Sequence, residues 1–258
     1  MRHGGSMGLF SFNNKENSVT EVGWLVDTSY AGFIWYEPRP IMRQLNPPKS
    51  SKAAQRCPAM MDFESRYFEV LCPIDLHLGF TRDDKNRPVL VNKAGSMSSI
   101  AASKLVELMS ITSEDRWRYP DKPIIQIAAP YRFISDEVVY MSQLPAFLHY
   151  YQPELPGTTF SGRFPIHVWP RKLQWAFEWH DTSKDLILKR GEPWFVLLFE
   201  TTDPTKHINM VPAEMTEQLK EFCSGLDNVT GFVNGTFSLF KTAMKRRPKV
   251  LLKKKSGC

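Results

Sequence analysis

No apolar run in this sequence approaches the roughly 18 to 20 residues that a membrane-spanning helix requires, which excludes a helical span. Met1 to Met7 carry charge and glycine with no long apolar stretch behind them, so they do not read as a secretory leader. Cysteine is scarce and scattered. Cys57, Cys72, Cys223 and Cys258 form no C-x-x-C pair, which excludes a zinc ribbon or a dithiol motif. Without a leader, the expectation is a cytoplasmic protein with reduced thiols, in which Cys57, Cys72 and Cys223 serve as small core hydrophobes. Cys258 makes no prenylation box. Asn228-Val229-Thr230 and Asn234-Gly235-Thr236 match the glycosylation pattern, but without export they carry no meaning. The nucleotide-binding and nucleophile motifs are missing as well: there is no P-loop, no G-x-G-x-x-G and no G-x-S-x-G. No cofactor is therefore expected.

What is present is core-forming material. Of 258 residues, 42% are apolar and 12% aromatic, with seven Trp and seventeen Phe, too rich for a wholly disordered chain. That length suits one domain near the upper limit of a single core. We read a disordered polar segment over 1–20, a single domain over 21–244 and a basic tail over 245–258. The net charge of +6 resides in that tail. Lys245, Arg246, Arg247, Lys249, Lys253, Lys254 and Lys255 stand there without an acid among them, and removing them leaves −1 on the remainder. Such a cluster is a candidate contact for nucleic acid or another anion, or simply a solvated terminus.

Strand signals dominate the middle of the chain. Val22–Asp27 and Ala31–Glu37 read as two strands about a turn at Thr28-Ser29-Tyr30, followed by a proline-rich surface connection over 38–52. Phe68–Phe80 is extended and broken at Pro73. Pro88–Asn92 resumes after the polar turn Asp83-Asp84-Lys85-Asn86. Ser98–Ile111 places Ile100, Leu105, Leu108 and Met109 on one helical face. Further strands are expected at Pro123–Ala128, Tyr131–Ile134 and Val138–Met141. Leu173, Trp175, Phe177 and Trp179 then alternate with Gln174, Ala176, Glu178 and His180, the period of two that a strand imposes. Leu186–Lys189 and Trp194–Glu200 read as a hairpin across Arg190-Gly191-Glu192-Pro193. Its second strand is apolar nearly throughout and hence covered on both faces. Met215, Leu219, Phe222 and Cys223 mark a helix started by Pro212 and stopped by Gly225, and Phe237–Met244 a last one. The fold class is α+β and β-rich: an antiparallel sandwich or barrel, of jelly-roll or double-stranded β-helix type, with a few peripheral helices.

Candidate chemistry centres on the polar face of Arg163 to His180. Arg163 and His167 share a strand face, and Gln174, Glu178 and His180 share another. If those strands pair, they converge on a polar or anionic ligand. Otherwise they form the solvent side of a half-buried sheet. Arg171 and Arg190, at strand ends, offer guanidinium forks to a carboxylate or phosphate. A double-stranded β-helix often holds a metal through two His and a carboxylate, and His167, Glu178 and His180 are the set to test. The histidines nevertheless lack any H-x-H, H-x-D, H-x-E or H-E-x-x-H spacing, so no metal is assigned. Trp175, Trp179 and Trp194 sit in core patterns and read as structural rather than as stacking platforms.

The runs GRFPIHVWPRKLQWAFEWHD, LILKRGEPWFVLLFE and TFSLFKTAMKRRP, together with CPAMMDF, CPIDL and PYRFISDEVVYMSQ, resemble a family of uncharacterised proteins found in bacteria and tailed phages. The likeness spans Val22 to Leu252. It implies a bacterial or phage origin, a cytoplasmic setting and one continuous domain, with Lys245-Arg246-Arg247-Pro248 as part of the domain's end. It carries no activity. The expected function is a non-catalytic β-rich protein that binds a polar or anionic partner. A cupin-like metal enzyme and a nucleic-acid binder are the alternatives.

Overall fold

The structure is a computed structural model and describes residues 19–27, 33–41, 50, 53, 56–98, 100–229 and 235–256. Residues 1–18 of the segment expected to be disordered over 1–20, the turn at Thr28-Ser29-Tyr30, residues 42–49, 51 and 52 of the proline-rich connection and Cys258 lie outside the described residues, whereas Val19 and Thr20 are strand, with Thr20 buried.

In chain order the elements begin with β1 (Val19–Val26), β2 (Arg39–Pro40), α1 (Pro58–Arg66), β3 (Tyr67–Leu71), β4 (Leu76–Arg82), β5 (Pro88–Asn92), α2 (Ala102–Leu108) and β6 (Met109–Ile111). Next come β7 (Ile124–Ala129), β8 (Tyr131–Ile134), β9 (Val139–Pro145), β10 (Gly157–Thr159), β11 (Gly162–Pro165) and β12 (Leu173–Trp179). The chain ends with β13 (Leu186–Leu188), β14 (Pro193–Thr201), β15 (His207–Pro212), α3 (Glu217–Val229) and α4 (Thr236–Arg246).

The strands form four sheets, ordered β11-β9-β14-β3-β2, β10-β12-β7-β6, β13-β4-β5 and β15-β1-β8. Among the described residues all pairings are antiparallel except β1 with β15. The first two sheets share the main core. Trp175 of β12 lies 6.3 Å from Trp194 of β14, and the Gln143 side-chain amide of β9 donates to the Gln174 carbonyl of β12. Trp175, Trp179 and Trp194 are fully buried, as their positions predict. The architecture is therefore α+β and sandwich-like, and among the described residues no sheet closes into a barrel.

Two expected hairpins are replaced by long-range pairings. β1 bonds to β15 and β8, while Phe33–Glu37 is irregular backbone that packs Phe33 and Trp35 on the core. Both edges of β1 are already occupied, and Pro38 and Pro40 withhold backbone donors from this segment. β13 and β14 likewise diverge: β13 pairs with β4 and β14 with β3. The two chains run side by side and bend together from one sheet into another. The corner is held by Cys72 N–H donating to the Glu192 carbonyl and Gly191 N–H to the Cys72 carbonyl. Gly191 adopts φ +82°, a conformation that L side chains rarely reach.

A second apolar cluster lies outside the sandwich. Leu25 and Ile134 from β1 and β8 meet Leu219, Phe222, Cys223 and Leu226 of α3, Ala243 of α4 and Leu251. The α3 stripe is as the spacing predicts, but its ends are not. Pro212 closes β15, the Thr216 hydroxyl caps the helix by accepting from Leu219 N–H, and Gly225 lies within the helix.

Candidate functional site

The predicted polar face is not assembled. Arg163 lies on β11, which pairs with β9, whereas Glu178 lies on β12, which pairs with β10 and β7. The two groups occupy different sheets. Arg163 bonds to Glu200 at 3.0 Å and stacks on Tyr140. His167 follows β11 and is buried, with Nδ1 3.0 Å from the Val139 carbonyl. Burial, and to a lesser degree the Arg247 charge, hold its imidazole below the usual value against the pull of that carbonyl. Arg190 is exposed, with its guanidinium toward the Tyr36 hydroxyl and its amide on the Asp75 carboxylate.

Glu178 and His180 do meet. They supply, carboxylate first, the two-residue spacing on one strand face that the histidine-led motifs lack. Glu178 Oε1 is 2.8 Å from His180 Nε2, with the Glu178 side chain only 3% exposed. Its other oxygen has no hydrogen-bond partner, although the Arg118 guanidinium stands 3.8 Å away, near enough for attraction but too far for a hydrogen bond. Thr158 Oγ1 also approaches His180 Nε2, at 3.3 Å. Both neighbours therefore use the same ring nitrogen. A catalytic relay needs the acid and the nucleophile on opposite nitrogens, so this is not one. His167 stands apart, and no three His, Cys, Asp or Glu side chains converge on a metal-sized site among the described residues.

The C-terminal basic segment, expected as a solvated tail, is packed against the domain. Leu251 is 1% exposed, and its amide donates to the Asp136 carboxylate. Lys254 bridges Ala213, flanked by Glu214 N–H on the Lys253 carbonyl and Lys255 N–H on that of Pro212. Three of the seven cations are neutralised: Arg247 by Asp136, Lys253 by Glu214 and Lys254 by Glu21. Apolar side chains interleaved in KRRPKVLLKKK anchor the segment, because Leu251 gains roughly 1.5 to 3 kcal/mol from burial.

Lys245 and Arg246 close α4, whose carbonyl end favours cations. Lys245, Arg246, Lys249 and Lys255 have no carboxylate partner among the described residues. Arg246 and Lys249 border a groove of about 950 Å³ between α3 and α4. Its floor is apolar, built from Phe222, Leu226, Leu239 and Ala243 with the exposed Val250 at the edge, and Gln218 and Glu221 line it from α3. Phe222, Leu226 and Ala243 belong both to the second apolar cluster and to the lining of this groove.

One further charged cluster centres on β8. Arg132 of β8 is 2% exposed. It donates through Nε to Asp27 at 2.6 Å, through Nη1 to the Pro170 carbonyl at 2.7 Å and through Nη2 to Asp227 of α3. Lys172 shares Asp27. Burial alone would raise the Asp27 carboxyl, but the hydrogen bond and charge of Arg132, then of Lys172, hold it below the ordinary carboxylate range. An arginine between Tyr131 and Phe133 in an apolar strand was the one local hint. Neither a family model, nor a curated protein, nor a solved structure matches this chain.

Proposed function

We propose that this is a binding protein whose working surface is the α3–α4 groove, and that its occupant is an amphipathic helix of a partner protein with acidic residues along the flank that meets α4. The observation that carries this reading is the groove itself: an apolar floor with Arg246 and Lys249 unpaired on one rim. At about 950 Å³ the space matches about two turns of a helix with its side chains, taking a helix diameter of roughly 10 Å. Helices bind such grooves through residues at i, i+3, i+4 and i+7. Charge on the rim sets orientation and encounter rate more than affinity. The cytoplasmic setting and the bacterial or phage origin implied by the resemblance belong to the same proposal.

Fluorescence anisotropy with a labelled helical peptide tests it, using apolar residues at that spacing and glutamates on one flank. Saturable binding that weakens at least tenfold in Arg246→Glu/Lys249→Glu supports the reading. A lysine-flanked peptide that binds equally well, or binding unchanged in the variant, refutes it.

A further inference from the structure

The charged cluster behind α3 is out of balance. Among the described residues it contains three cations, Arg132, Lys172 and Arg171, and two carboxylates, Asp27 and Asp227. Both carboxylates are already engaged: Asp227 receives both terminal nitrogens of Arg132, and Asp27 receives Arg132 and Lys172. Arg171 is left over. Its Nε donates to the Lys172 carbonyl at 3.3 Å and its guanidinium lies over the Trp169 ring, 5.1 Å from the centroid. Its two terminal nitrogens have no partner among the described residues.

The side chain is half-buried, so water compensates that surplus charge only in part. Burial lowers the Arg171 guanidinium from its ordinary value; Asp227 pulls it up, and repulsion from Arg132 adds to the lowering. A guanidinium over an indole and tethered at Nε is a partly preorganised fork, with its two terminal nitrogens left to donate.

We propose that Arg171, seated on Trp169 with Lys172 beside it, is a binding site for a carboxylate group. The charge count selects the class. One surplus positive charge is balanced by a monoanion, whereas a phosphate dianion would bring a second negative charge toward Asp27 and Asp227. The site is separate from the α3–α4 groove. That groove is lined by Ser238, Leu239, Thr242, Ala243 and Arg246 of α4, while Trp169 contacts the same helix through Phe240.

Two-dimensional NMR of the full chain provides the test, with sodium acetate titrated against sodium chloride at constant ionic strength. Acetate should produce saturable shifts at the Trp169 indole and the Arg171 and Lys172 amides, with Kd in the millimolar range, on the order of a single charge-assisted fork. Acetamide, the neutral isostere, should produce none. Arg171→Gln should abolish saturation, and Arg171→Lys, which keeps the charge but loses the fork, should weaken it at least about fivefold. Neither substitution removes a folded-state ion pair, so both variants should melt with the wild type. N-acetylglycine binding more tightly than acetate identifies a chain terminus as the natural source, and equal or weaker binding a free small acid. A response to acetate no different from chloride overturns the site. So does saturation that survives Arg171→Gln, and phosphate binding tighter than acetate overturns the carboxylate assignment.

Discussion

Replacing Arg132 with methionine removes a side chain that ties the end of β1, β8, the 169–172 turn and α3 together. Methionine fills most of the apolar stem's volume, so the loss is chiefly polar. Removing one partner of a buried ion pair typically costs about 3 to 5 kcal/mol. Here the freed carboxylates, Asp27 at 30% and Asp227 at 35% side-chain exposure, can recover water, which places the ionic part near 2 kcal/mol. The Pro170 carbonyl, left with only a weak contact from Cys223 Sγ at 3.7 Å, adds about 1 to 2 kcal/mol. The total is roughly 3 to 4 kcal/mol, or a Tm lowered by about 6 to 15 °C for a chain of this size. The pH dependence carries the sign. Asp27 has a folded-state pKa below its unfolded value of 3.8, so its stabilisation is complete above that value and is lost as pH falls through the folded one. Urea denaturation of wild type and Arg132→Met should show the full gap at pH 7 and a narrower one near pH 3. Hydrogen exchange should quicken first in α3, which loses its Asp227 tether. A gap below about 1 kcal/mol at pH 7, or one as wide at pH 3, would refute the account.

Gly23 faces the docked C-terminal segment. A Cβ there would sit 2.3 Å from Leu252 Cδ1, 2.9 Å from Ile134 Cγ1 and 3.0 Å from Ala213 Cβ, so Gly23→Ala should cost about 1 to 3 kcal/mol and open Lys253–Lys255 to trypsin; unchanged cleavage would count against the docking. Gly225 is the opposite case, helical with open space around its Cα, and Gly225→Ala should stabilise by about 0.5 to 1 kcal/mol in chemical denaturation. Burial pushes the Cys72 thiol up to about 12 and that of Cys223 to about 11, while Cys57 is exposed; iodoacetamide at pH 8 should therefore label Cys57 quickly and the other two only on unfolding, as read by peptide mass mapping. With four unpaired cations in the basic segment, binding to duplex DNA should show a log–log salt slope no steeper than about −4, and a steeper slope would call for further phosphate contacts elsewhere.

The sandwich strands were legible because their signals are local. Period-two alternation located β12, and continuous apolarity located β14. Polar punctuation at Asp83–Asn86 set the β4–β5 turn, where Asn86 takes φ 60°. Pairing is not a local property. Nothing near Val19–Val26 announces that its parallel neighbour is His207–Pro212. Nothing in Leu186–Glu200 reveals that a two-chain corner with Cys72 replaces the hairpin its turn residues favour. Glycine and proline mark a change of direction, and both a reversal and a bend between sheets satisfy that demand.

Charge shows the same division more sharply. A count over 245–255 identifies seven cations but cannot say which are neutralised, since Asp136, Glu214 and Glu21 come from three distant parts of the chain. Folding sorts the cluster. Arg247, Lys253 and Lys254 become part of the seam that closes β15 and the second core, and only the remainder faces outward. Of that remainder, Arg246 at the end of α4 and Lys249 just beyond Pro248 line the groove. The positive field is therefore focused on one apolar concavity and not spread along a mobile strand. A cation beside an apolar floor favours a partner that presents both acid and hydrocarbon, as an amphipathic helix does and a phosphate backbone alone does not.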